Sequence, residues 1–279
     1  MELYKKGRYM KRAVFFVSDS TGITVEALGN SVLSQFPNVE FIQQTLTFID
    51  DEEKAKEAAS QIKKSRIDGN NPILFHTFAD ESLGKIMQDT GAMVMDCLKI
   101  FTYPLETELG VKASHSAGSS HSVSGRGYQR RIDALNFAMN FDDGAAVRGL
   151  EQADIILVGV SRSGKTPTSL YLALHFGIFA ANYPLVDEDL TTDDLPNVLS
   201  DYRDKIYGLT ISPTRLSQIR EQRRPDSKYA ELSKCEQEVK SALRLYDACN
   251  IVYFDSTHHS VEELSSKILK ESNILRHID

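Results

Sequence analysis

Cysteine is scarce: the 279 residues hold three, Cys97, Cys235 and Cys249, far apart and odd in number. This excludes a disulfide framework and the paired spacing of a zinc site, and it predicts isolated, reduced thiols in a cytoplasm. No apolar run approaches the roughly 20 residues that span a bilayer. The basic, polar segment Met1–Arg12 lacks the apolar core of a signal peptide. A soluble protein with no membrane partner is expected. Net charge is −7, so a general basic face for nucleic acid or anionic lipid is missing as well. Positive charge gathers locally at Arg215, Arg220, Arg223 and Arg224.

What is present is ordinary globular composition, 41% apolar and 25% charged. Strands are predicted at Ala13–Val17, Phe41–Ile49, Pro72–Phe78 and Ala92–Leu98. Helical spacing separates them: Val25 to Phe36, Asp51–Lys64 and Glu81–Gln88. Such alternation argues for a parallel sheet covered on both faces. Residues 112–127 are then rich in Ser, Gly and His, which is loop chemistry, and include His115 and His121. Helical spacing returns over Arg130–Phe141, and Asp142-Asp143-Gly144 ends it. The second half has strands at Ile155–Val158, Ile206–Ile211 and Ile251–Phe254, with helices at Lys165–Phe176, Leu216–Arg224, Glu231–Tyr246 and Val261–Leu269. Ser260 and Glu263 form a capping-box pattern before the last. The predicted fold is α/β: an N-terminal parallel-sheet domain over 1–148, carrying the 112–127 insert, and a C-terminal P-loop kinase-like domain over 149–279.

Gly159-Val160-Ser161-Arg162-Ser163-Gly164-Lys165-Thr166 matches G-x-x-x-x-G-K-[ST] at every fixed position. Phosphate oxygens need several donors converging on one point. The two glycines let backbone N–H groups turn inward, and the following helix aims its free N–H groups at the anion. Lys165 is expected to reach the terminal phosphates, and Thr166 to ligate Mg²⁺. Four constrained positions match by chance in roughly one chain in a hundred of this length. The apolar strand before the motif and the helical pattern after it supply its required context. Asp255, closing a strand, is a candidate second metal ligand or a turn residue. The arginine cluster reads equally as a lid over a transferring phosphoryl group or as a solvated helix face with Glu221 as partner.

The motif continues as Pro167-Thr168-Ser169-Leu170-Tyr171-Leu172-Ala173, and the whole closely resembles the signature of the bacterial regulatory proteins of phosphoenolpyruvate synthase and of pyruvate, phosphate dikinase. Ser18-Asp19-Ser20-Thr21-Gly22, Asp142-Asp143-Gly144, Phe176-Gly177-Ile178, Ala180-Ala181-Asn182-Tyr183-Pro184 and Tyr207-Gly208-Leu209-Thr210-Ile211 agree with it. The resemblance implies a bifunctional serine/threonine kinase. With ADP as donor it phosphorylates a threonine of its target enzyme. With inorganic phosphate it removes that group and releases pyrophosphate. It also implies a homodimer. Gly164 stands where the dikinase branch tends to have Ser, which points to phosphoenolpyruvate synthase as partner. The dikinase is the alternative; a small-molecule P-loop kinase and a nucleotide switch without transfer chemistry are the rival classes. Asp142 and Asp143 are candidates for the base that accepts the threonine proton, because adjacent carboxylates raise one another's pKa. Asp19 is a candidate for positioning phosphate or target.

Overall fold

The structure is a computed structural model that describes residues 10–114, 126–142 and 149–274. Contacts divide the chain into two compact units, Met1–His121 and Ser122–Asp279.

The first unit runs β1 (Met10–Val17), α1 (Ile23–Leu33), β2 (Val39–Leu46), α2 (Glu52–Lys64), β3 (Ile73–His76), α3 (Glu81–Gln88), β4 (Met93–Asp96) and α4 (Lys99–Leu109). Its four strands are parallel in the order β2-β1-β3-β4. Successive residues of β1 serve opposite faces, as the period of a strand requires. Phe15 and Val17 pack with Ala55, Ile62 and Met87 of α2 and α3, while Val14 and Phe16 pack with Val25 and Leu33 of α1. The acidic start of α2 is capped by Asp51, whose carboxylate accepts the Lys54 N–H at 2.8 Å. Burial pushes the Cys97 thiol up to about 11, so it stays protonated and inert.

The second unit runs α5 (Arg126–Asn140), β5 (Ile155–Gly159), α6 (Lys165–Phe176), β6 (Ala180–Pro184), β7 (Ile206–Thr210), α7 (Pro213–Arg223), α8 (Leu232–Ala248), β8 (Tyr253–Asp255) and α9 (Val261–Ser272). Its sheet is again parallel, in the order β6-β5-β7-β8, so the two sheets share one strand order. The unbroken apolar run of β5 is explained by two cores. Ile156 and Val158 face Leu199, Leu216 and Tyr246; Ile155 and Leu157 face Leu172, Ile178, Leu264 and Ile268. Burying each such side chain stabilises by about 1.5–3 kcal/mol. The capping box of α9 is formed: Ser260 Oγ accepts from the Glu263 N–H, and the Glu263 carboxylate accepts from the Ser260 N–H.

Helix α5 belongs to the second unit, although its sequence sits in the 1–148 half proposed above. Ala134 and Ala138 meet Ala173 of α6, and small side chains let the two helices approach closely. Arg130 fixes the start of α5, donating to the Gly177 carbonyl at 2.9 Å and pairing with Asp154 at 3.3 Å. Among the described residues, no helix is long and apolar enough to cross a membrane.

Candidate functional site

β5 is an inner strand: the chain crosses from it to β6 on one side, then returns past it to β7 on the other. The carboxyl end of such a strand is where ligands gather in doubly wound sheets. Gly159 ends β5, and the loop to α6 passes directly over the end of β7. A Cβ on Gly159 would lie 2.5 Å from the Leu209 carbonyl oxygen and 2.8 Å from Ser163 Oγ, so only glycine lets the loop cross there. Tyr246 of α8 clips the two strands beneath, its buried hydroxyl within reach of the Val158 and Leu209 carbonyls at 3.1 and 3.3 Å.

Gly164 starts α6 with φ 95°, a left-handed conformation that L side chains adopt only under strain. Arg162 adopts φ 76° in the same loop without being glycine, a cost of about 1–2 kcal/mol held by its surroundings. Lys165 is buried, and its ammonium donates to the Gly159 and Val160 carbonyls at 2.8 and 2.9 Å. The fully buried Ser163 hydroxyl has no partner among the described residues and lies inside the loop.

At the head of α6, Thr166 Oγ1 donates to Asp142 Oδ1 at 2.8 Å. Asn182 of β6 donates through Nδ2 to that same carboxylate oxygen and to Thr166 Oγ1. Asn182 is 3% exposed, and its own Oδ1 has no partner among the described residues. Phe141 carries Asp142 to this place. Its ring stacks on Phe137 at 4.3 Å, and its carbonyl accepts the Asn182 N–H at 3.0 Å. The structure thus joins a predicted base, Asp142, to a predicted metal ligand, Thr166. Asp143 lies outside the described residues, as do His115 and His121.

The other expected residues have partners of their own. Asp255 spends its carboxylate on a turn, accepting from the Thr257 N–H at 2.8 Å and from the Thr257 hydroxyl. No hydrogen bond among the described residues ties it to Thr166, and its neighbour Ser256 is the residue beside Gly164. Asp19 belongs to the first unit, where it accepts the Ala79 N–H at 3.0 Å between the ends of β1 and β3. Arg220 is no lid residue. It is fully buried, pairs with Glu238 at 2.6 Å and holds the Ser161 carbonyl at 3.1 Å. Burial is the largest single influence and works against its charge, but the Glu238 hydrogen bond and the attraction of Glu238, Tyr229 and Cys235 together outweigh it and raise the guanidinium pKa. Glu221, the partner expected for a solvated arginine face, instead caps the Asp226 N–H.

Asn182 was the residue that sequence reasoning missed. Its signal was a polar side chain amid the apolar Ala180-Ala181 run, a pattern that a buried strand tolerates only where the amide has partners.

Fold and site define a doubly wound α/β protein whose glycine-flanked loop, helix start and half-buried Asp–Thr–Asn cluster meet at the carboxyl edge of one sheet. The chain belongs to the kinase/pyrophosphorylase family, which it matches over residues 14–269. Among curated relatives, a protein of Hahella chejuensis is 50% identical over 271 residues, covering 96% of this chain and 100% of the relative. One of Pseudomonas aeruginosa is 48% identical over 269 residues, 96% of this chain and 98% of the relative. Both carry the name "Putative phosphoenolpyruvate synthase regulatory protein".

Proposed function

We propose that this protein is a cytoplasmic, bifunctional regulator of phosphoenolpyruvate synthase. In the inactivating direction the β-phosphoryl group of ADP moves to a threonine hydroxyl of the synthase, and AMP leaves. In the activating direction inorganic phosphate attacks the phosphothreonine, the bond from phosphorus to the threonine oxygen breaks, and pyrophosphate leaves. Family membership and the names of the relatives support this reading. The observation that carries it is the hydrogen-bonded cluster of Asp142, Thr166 and Asn182 at the N-terminus of α6.

Phosphoryl transfer needs positioning and charge neutralisation more than covalent chemistry. The loop Gly159–Thr166 seats the phosphates against the free N–H groups of α6. Lys165 turns from the Gly159 and Val160 carbonyls to the phosphoryl oxygens. Asp142 accepts two donors on Oδ1, while its Oδ2 has no partner among the described residues. That oxygen takes the proton of the incoming threonine hydroxyl, and returns it in the reverse direction. Asn182 and Thr166 hold the carboxylate in place as it does so.

Magnesium would suit the hard oxygen donors here, the Thr166 hydroxyl and the Asp142 carboxylate. Bound there, it supplies charge neutralisation for the phosphates.

Incubation with phosphoenolpyruvate synthase and ADP labelled in the β-phosphoryl group tests the reading. Label on a synthase threonine is expected with wild type and not with Lys165→Ala. Label from ATP but not ADP, or label on a small metabolite, contradicts it.

A further inference from the structure

Arg162, Arg223 and Arg224 line one cavity of about 210 Å³, together with Ser161 and Tyr229. No carboxylate lines it. None of the three guanidinium groups has a hydrogen-bond or ion-pair partner among the described residues. All three are exposed, so water screens part of their mutual repulsion, and an anion that joins them removes the rest.

The floor is rigid. The Ser161 and Tyr229 hydroxyls are 2.8 Å apart, and the Arg220 guanidinium lies 4.0 Å from the centre of the Tyr229 ring. Arg220 also holds the Ser161 and Tyr229 carbonyls, each at 3.1 Å. Buried Arg220 thus fixes both Ser161, beside Arg162, and Tyr229 while leaving the cavity open. Two of the arginines arrive from the end of α7, and the third from the strained crest of the loop at φ 76°. Pockets for drug-sized ligands measure about 300–1,000 Å³, so this one suits an ion-sized group rather than a whole nucleotide. Guanidinium forks match the oxygens of a tetrahedral anion.

We propose that this cavity is a second oxyanion subsite, taking a phosphate dianion on the outer shoulder of the Gly159–Thr166 loop. Its role in the reaction rests on the function proposed above; its chemistry does not. The dianion comes either from free phosphate, the co-substrate of activation, or from the terminal group of ADP.

Calorimetric titration of the full chain with inorganic phosphate, and separately with ADP, tests this on wild type and on Arg223→Gln/Arg224→Gln. The double variant is expected to bind one of the two ligands about tenfold or more weakly, the worth of a lost charge-assisted hydrogen bond. If phosphate affinity falls and phosphate still binds wild type saturated with ADP, the source is free phosphate. If ADP affinity falls and ADP displaces phosphate, the source is its terminal group. Arg223→Lys/Arg224→Lys keeps the charge and is expected to retain part of the affinity. Both affinities within about twofold of wild type, in a variant whose melting temperature is unchanged, overturn the proposal. The readout is binding, so a failure of the transfer reaction leaves this result intact.

Discussion

The Thr166 hydroxyl donates to Asp142 Oδ1 at 2.8 Å, joining the first turn of α6 to the residue just past the end of α5. Asn182 donates to the same oxygen. Asp142→Asn keeps the volume of the side chain but removes the charge and the proton acceptor. Threonine phosphorylation is expected to fall about 10²-fold or more, the usual worth of a positioned general base. Rate measurement with labelled ADP checks this, and a wild-type rate removes Asp142 from the mechanism.

Gly159 and Gly164 are glycine for different reasons. At Gly159 a methyl group meets the Leu209 carbonyl at 2.5 Å; at Gly164 it meets only Ser256, at 3.7 Å, but in a left-handed backbone. Gly164→Ser is therefore expected to cost about 1–2 kcal/mol of strain and to fold. Gly159→Ala is expected to destabilise more, because backbone must move, and to abolish ADP binding. Urea titration of both variants ranks them; equal midpoints contradict the geometry.

Arg220 and Glu238 are a buried pair that also pins the loop through Ser161. Arg220→Met leaves the Glu238 carboxylate with only Lys234, at 3.6 Å, and a loss of about 3 kcal/mol, the low end for a broken buried pair, is expected. Arg220→Met/Glu238→Leu removes both charges and is expected to recover much of it. Denaturant unfolding of the single and double variants reads the difference. A double variant no more stable than the single one contradicts the pairing as the cause.

His76, at the end of β3, is 1% exposed, and neither ring nitrogen has a partner among the described residues. Burial lowers its pKa below the ordinary 6.5, against the pull of Asp96 and Asp19. Below 6.5 the unfolded chain takes up a proton that the folded protein does not, so the unfolded state binds more protons and stability rises with pH. The first unit is expected to lose stability as pH falls from 6.5 toward the folded value, and to gain nothing from this group above 6.5. Unfolding midpoints at several pH values check it: His76→Leu flattens that slope, and an unchanged slope contradicts the assignment.

Much of the fold was legible because β1 and β5 are apolar on both faces and α2, α3, α7 and α9 carry side-chain caps. Helix α4 was not. Pro104 lies within it, and its side chains are not buried, so no apolar face of helical period marks it. Strand β6 was hidden by Asn182, whose burial follows from its partners Asp142 and Thr166 rather than from local propensity. Sequence-level patterns fail where a site overrides them. Asp142 was nominated for its neighbour Asp143, whereas its observed partners come from α6 and β6, elements that spacing alone does not bring together. Arg220 matched the other arginines in sequence, and only packing separates the buried anchor from the residues lining the cavity.

The reverse reaction tests the central claim most directly. Synthase carrying labelled phosphothreonine is incubated with this protein and unlabelled inorganic phosphate, and the released label is identified. The account predicts labelled pyrophosphate, dependent on Lys165 and Asp142. Labelled orthophosphate, the product of hydrolysis by water, would contradict it.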